Sequence, residues 1–193
     1  MKHSLRILLM LALATAVGVP AFASAYTLTF DDLPYPGLGA AIPNGYGNLN
    51  WSNEFYLDGT LYPGTGYQYG IVSGTNVAYN GFASTAVMFT NPGVVLSLDS
   101  GWFTSAFFTQ NVEIDTYLAG NLTGAFVFPA LFSQPTFIDF GNVPFDTAYI
   151  FTPSGSQLVM DNLTLNTVPE PASMLLLGTG ALAVVNRLRK RIS

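Results

Sequence analysis

Residues 94–128 read VVLSLDSGWFTSAFFTQNVEIDTYLAGNLTGAFVF. Valine, isoleucine, threonine, phenylalanine and tyrosine crowd this stretch, and such residues suit a pleated, half-buried strand. Glu113 and Asp115 alternate with Val112 and Ile114, the period-two signature of a strand with one solvated face. Gly120-Asn121 punctuates the run as a turn. The stretch therefore predicts strands over 94–98, 102–109, 112–118 and 122–128, with Trp102 and Phe107 in the core.

Working outward, the same signals predict strands over 26–30, 55–57, 76–79, 85–90, 136–140, 148–152 and 157–165. Turn pairs separate them: Asp58-Gly59, Asn80-Gly81, Pro92-Gly93, Gly141-Asn142 and Ser154-Gly155. No segment of the domain sustains a helical period. Short strands without βαβ alternation predict an all-β fold, an antiparallel β-sandwich of jelly-roll type with eight or so strands. Two irregular stretches, 34–51 and 62–67, contain aromatic residues that can pack. Ordered loops of this kind on a sandwich are where binding usually sits.

Both ends of the chain read as labels. Lys2 and Arg6 precede an apolar run over 7–19, Pro20 breaks it, and Ala23-Ser24-Ala25 offers the small residues a signal peptidase needs. Residues 1–25 are therefore expected to be a signal peptide. At the other end, Val168-Pro169-Glu170-Pro171 leads into an apolar block over 172–185 and then a basic end of Arg187, Arg189, Lys190 and Arg191. As a helix the block would reach about 21 Å, against a hydrocarbon core of about 30 Å. That length fits a transient inner-membrane anchor better than a comfortable permanent span, and the basic end would stay cytoplasmic.

The ordered succession of Pro-Glu-Pro, apolar block and basic end resembles the PEP-CTERM sorting signal, here over 168–193. The resemblance implies export in a Gram-negative bacterium that makes exopolysaccharide, recognition and processing by an exosortase, and release or display at the cell surface. The same kind of tail occurs on some ice-binding proteins, so it implies a route and not an activity. Softer resemblances to a common PEP-CTERM ectodomain lie in Leu28-Thr29-Phe30-Asp31-Asp32-Leu33, Asn50-Trp51-Ser52 and Met160-Asp161-Asn162-Leu163-Thr164-Leu165.

Between the labels, residues 26–167 make one domain. Every Lys and Arg, and the lone His3, lies in the two labels, leaving ten carboxylates and no basic side chain in the domain. Nucleic-acid binding is excluded, since it depends on neutralising phosphates with Lys and Arg. Ser-His or Cys-His nucleophiles and zinc sites built on His or Cys cannot be assembled. Without cysteine, an exported domain is held by packing and, as one expectation, by a structural Ca²⁺.

Asp31 and Asp32 at the end of the first strand, with Asp161 in the last, are the oxygen-rich cluster for that Ca²⁺. Glu113 and Asp115 stand about 7 Å apart on one strand face, a spacing that overlaps glycosidase pairs. A solvated strand face carrying acids explains them better, and the domain is read as no enzyme. Tyr35, Tyr46, Trp51, Tyr62, Tyr67 and Tyr69 lie in or beside the two irregular stretches, as rings on which a polysaccharide could stack. Ice binding would need repeated ranks of Thr, and the single rank of Thr27 and Thr29 is not repeated. The reading is an exported structural or adhesive protein of an exopolysaccharide-rich envelope, the alternative a carbohydrate-binding module with structural calcium, and the remote one an ice-binding protein.

Overall fold

The strand-forming stretches pair into two antiparallel sheets. The structure, a computed structural model, describes residues 24–168 together with Gly180. Outside the described residues lie most of the expected signal peptide, Pro169, Glu170, Pro171, the apolar segment apart from Gly180, and Arg187, Arg189, Lys190 and Arg191. Among the described residues, no helix is long and apolar enough to cross a membrane.

In chain order the strands are β1 (Ala25–Leu28), β2 (Ala40–Ala41), β3 (Leu49–Ser52), β4 (Glu54–Asp58), β5 (Asn76–Asn80) and β6 (Ala86–Thr90). They continue with β7 (Leu96–Ser105), β8 (Gln110–Leu118), β9 (Asn121–Ala130), β10 (Thr136–Phe145), β11 (Thr147–Phe151) and β12 (Leu158–Thr167). The first sheet runs β10-β7-β12-β5-β4-β2, with β1 also paired to β12; the second runs β3-β6-β11-β8-β9. From β5 to β8 each strand crosses to the other sheet, the jelly-roll habit that produces a sandwich.

Alternation places one side chain in two between the sheets. Leu96, Leu98, Phe103 and Met160 of the first sheet meet Met88, Ile114, Phe128 and Ile150 of the second in one buried cluster. Each such side chain contributes about 1.5–3 kcal/mol by burial. The sequence predicts two strands around Asp99-Ser100-Gly101, whereas β7 runs straight through them. A Cβ on Gly101 would stand 2.9 Å from the Phe103 ring, so that glycine makes room for a core side chain rather than a turn. Trp102 is half-buried beside Phe137 on the outer side, with ring centroids 5.2 Å apart, and Phe107 is 54% exposed. Neither is a core residue: Trp102 has the opposite parity to the inward Phe103, and Phe107 lies beyond the end of β7.

A second cluster covers the outer face of the first sheet. Residues 59–75 form a strap with a 3₁₀ turn (Gly59–Leu61) and one helical turn, α1 (Gly66–Tyr69). Beneath it Leu57, Val77, Ala106 and Val159 are buried together with the strap's own Tyr67. The ends of the domain leave side by side: Ala25 pairs with Asn166, and Thr167 N–H donates to the Ser24 carbonyl at 3.1 Å.

Candidate functional site

The outer face of the second sheet is open, and strand register decides what stands on it. Inward positions of β8 are Val112, Ile114 and Thr116, all buried, so Glu113, Asp115 and Tyr117 point outward. On β11 the outward positions are Thr147, Tyr149 and Phe151. Tyr149 lies between Val87 of β6 and Asp115 of β8, Phe151 opposite Glu113, and Thr147 between Phe89 and Tyr117. Ala125 and Val127 of β9 flank the two acids on their other side, and Asn50 of β3 extends the row from Phe89.

The result is a run of rings interrupted by two carboxylates. Tyr117 and Tyr149 meet edge to face at 5.6 Å, and Tyr149 and Phe151 lie near-parallel at 6.2 Å. Both Phe89 and Tyr149 keep over a third of their surface exposed. Asp115 Oδ1 is covered by its neighbours and has no hydrogen-bond partner among the described residues. At one corner of the face an open crevice of about 430 Å³ is lined by Phe89, Asn91, Val94, Leu118, Asp146 and Thr147, among others. The Asp146 carboxylate is spoken for, accepting from Ala119 N–H at 2.7 Å and from Thr147 Oγ1 at 3.1 Å.

The aromatic residues expected to bind glycan are distributed differently. Trp51 and Tyr67 are buried at 7% and 5% exposure and present no ring face to a ligand. Trp51 points inward because its strand pairs with β6, and its Nε1–H donates to the Tyr46 carbonyl. Tyr46 is half-buried, its hydroxyl donating to Asp32 Oδ1 at 2.7 Å and accepting from Phe30 N–H at 3.0 Å; burial and that carboxylate push its pKa up. Tyr62 is half-buried and donates to the Leu38 carbonyl. Only Tyr35 and Tyr69 are exposed, Tyr69 beside Phe132 at 5.8 Å. The loop rings fix the strap and the loops, so the six do not form one stacking surface.

Of the three aspartates expected to hold Ca²⁺, Asp31 and Asp161 stand near each other, both reaching Ser73, but their oxygens are taken by amides. Asp32 turns to Tyr46, as above. Asp31 Oδ1 accepts from Thr75 and Asn76 N–H, both at 2.9 Å. Asp161 Oδ2 accepts from Val72 and Ser73 N–H at 2.7 and 2.9 Å, and its Oδ1 from Asn162 N–H. Amide dipoles aimed at both carboxylates oppose a cation there. Among the described residues no group of three or more His, Cys, Asp or Glu is placed to hold a metal. The rings of β6, β8 and β11 escaped sequence reasoning; the alternation of 112–118 shows the acids, but only register shows which rings flank them.

Outside this face, the chain carries a sorting signal. Residues 167–190 match the PEP-CTERM protein-sorting motif. The PEP-CTERM motif marks an exported protein with a C-terminal membrane-anchoring sorting signal that an exosortase processes. None of the curated proteins matches the chain. Among solved structures, it is similar to TmCBM61 in complex with β-1,4-galactotriose (9% identity, TM-score 0.37, covering 65% of this chain and 95% of that one). It is similar also to the family 32 CBM from C. perfringens NanJ in complex with galactose (14%, 0.36, 65% and 98%). A third is the K1 cleaved adhesin domain of Lys-gingipain from Porphyromonas gingivalis W83 (9%, 0.36, 76% and 99%). These likenesses, all below a TM-score of 0.5, identify neither a ligand nor a site for this PEP-CTERM chain.

Proposed function

We propose that the chain is a non-enzymatic, exported β-sandwich protein with a structural or adhesive role in an exopolysaccharide-rich extracellular matrix. The observation that carries this reading is the sorting motif at 167–190 on a domain whose residues 26–167 hold no Lys, Arg, His or Cys. Signal peptidase would remove 1–25, the apolar segment would hold the chain in the inner membrane, and exosortase cleavage would pass 26–167 to the surface. The absence of His, Cys and Lys removes three of the usual general bases and nucleophiles and leaves the carboxylates. Glu113 and Asp115 stand on an open sheet face rather than in a cleft. Replacing Pro169, Glu170 and Pro171 by alanine tests the route by cell fractionation. The unprocessed chain should accumulate in the inner membrane; unchanged appearance outside the cell contradicts it.

A second reading, glycan binding, is favoured by the open face of Phe89, Tyr117, Tyr149 and Phe151. Rings with adjacent carboxylate, amide and hydroxyl groups are suited to sugar rings, which offer apolar C–H faces and hydroxyls.

A further inference from the structure

We propose that the outer face of the second sheet binds a cationic, amino-sugar polysaccharide, with Glu113 and Asp115 receiving its ammonium groups. The proposal rests on the glycan reading above and names the ligand's charge. Residues 26–167 contain no basic side chain, so these two carboxylates have no partner of opposite charge within their own domain. Their environment is also partly desolvated. Asp115 stands between Tyr149 and Ala125, and Glu113 between Phe151 and Val127.

Three features favour an ammonium over an uncharged donor. Asp115 Oδ1 is covered and unpartnered among the described residues, so this half-buried carboxylate lacks the internal hydrogen bonds that would otherwise satisfy its charge. Tyr117, Tyr149 and Phe151 surround the acids, and aromatic faces attract ammonium groups through the ring quadrupole. An anionic polymer would meet like charge from ten carboxylates. The form of the ligand follows from the sheet. Strand pairing has used the main-chain groups of the inner strands, so the face offers side chains alone, which suits a flat ring polymer better than a peptide seeking backbone partners. Five strands at about 4.8 Å spacing give a track of roughly 19 Å, enough for several sugar units.

Calorimetry on the processed protein purified from its host tests this with three probes: a chitosan oligosaccharide, its fully N-acetylated counterpart of equal length, and poly-lysine. Chitosan should bind, and weaken as salt is raised. Asp115→Asn or Glu113→Gln should each weaken it about tenfold, Asp99→Asn on the other sheet leaving it unchanged. The N-acetylated oligosaccharide should bind at least about tenfold more weakly than chitosan. Equal binding of both oligosaccharides overturns the charge selectivity and leaves the glycan reading standing. Poly-lysine binding without chitosan binding overturns the sugar, and no binding to either glycan overturns both. If Asp115→Asn melts early, Glu113→Gln, at a half-exposed position, carries the test alone.

Discussion

Asp161 and Asp31, from the last strand and the end of the first, grip the same short segment of chain. Asp161 accepts from the amides of Val72 and Ser73, and Asp31 from those of Thr75 and Asn76. Between them they pin the end of the strap that carries Tyr67 and covers Val159. Asp161→Asn keeps the shape but replaces one oxygen with an N–H₂ group that faces amide donors. It should cost about 2–3 kcal/mol, as hydrogen bonds to a charged group do, read as a lowered denaturant midpoint. Gly66→Ala should loosen the same strap, because its Cβ would collide with the Ser105 carbonyl; hydrogen exchange over 59–75 would rise in both.

Calcium should add nothing to this arrangement. With amides already directed at Asp31 and Asp161 and with Asp32 held by Tyr46, melting curves in excess Ca²⁺ and in chelator should coincide. A rise in Tm with Ca²⁺ alone would restore the calcium site expected from sequence.

The buried acid Glu54 predicts an unusual pH dependence. It is 2% exposed, its carboxyl oxygens find no partner among the described residues, and burial pushes its pKa well above the ordinary value. Asp161 is raised to about 6, burial outweighing its three amide bonds. Groups raised on folding bind protons more tightly in the folded state, so their stabilisation is complete below the unfolded values near 4 and is lost as pH rises. For Asp161 the loss falls between about 4 and 6; for Glu54 it extends higher. The domain should therefore melt at a higher temperature in mild acid than at neutral pH. Glu54→Met should gain about 1–3 kcal/mol at neutral pH and flatten that slope.

Phe82 is 87% exposed and sits at φ 56° in the turn between β5 and β6. Asn53 holds the turn by donating to the Gly81 carbonyl, and the turn strains a side chain that gives nothing back by burial. Phe82→Gly should raise stability by about 1 kcal/mol in chemical denaturation. A fall would show that the ring packs usefully.

The sandwich was legible because its signals are local. Val112, Glu113, Ile114 and Asp115 declare a half-buried strand, and Asn80-Gly81 declares the break after β5. Asp99-Ser100-Gly101 misled for the same reason: its residues favour a turn locally, and only the Phe103 ring explains the glycine inside a strand. β3 was hidden in a run of Asn and Gly, since the partner that makes Leu49–Ser52 a strand is β6, distant in sequence. Ring exposure was the least legible. Whether Tyr67 or Tyr149 faces water depends on where the strap lies, and no local pattern encodes that.

Intact-mass analysis of the protein recovered from its native host tests the proposed route out of the cell most directly. The expected species begins after residue 25 and lacks Arg187, Arg189, Lys190 and Arg191. A surface-exposed species that retains those four residues would contradict that route.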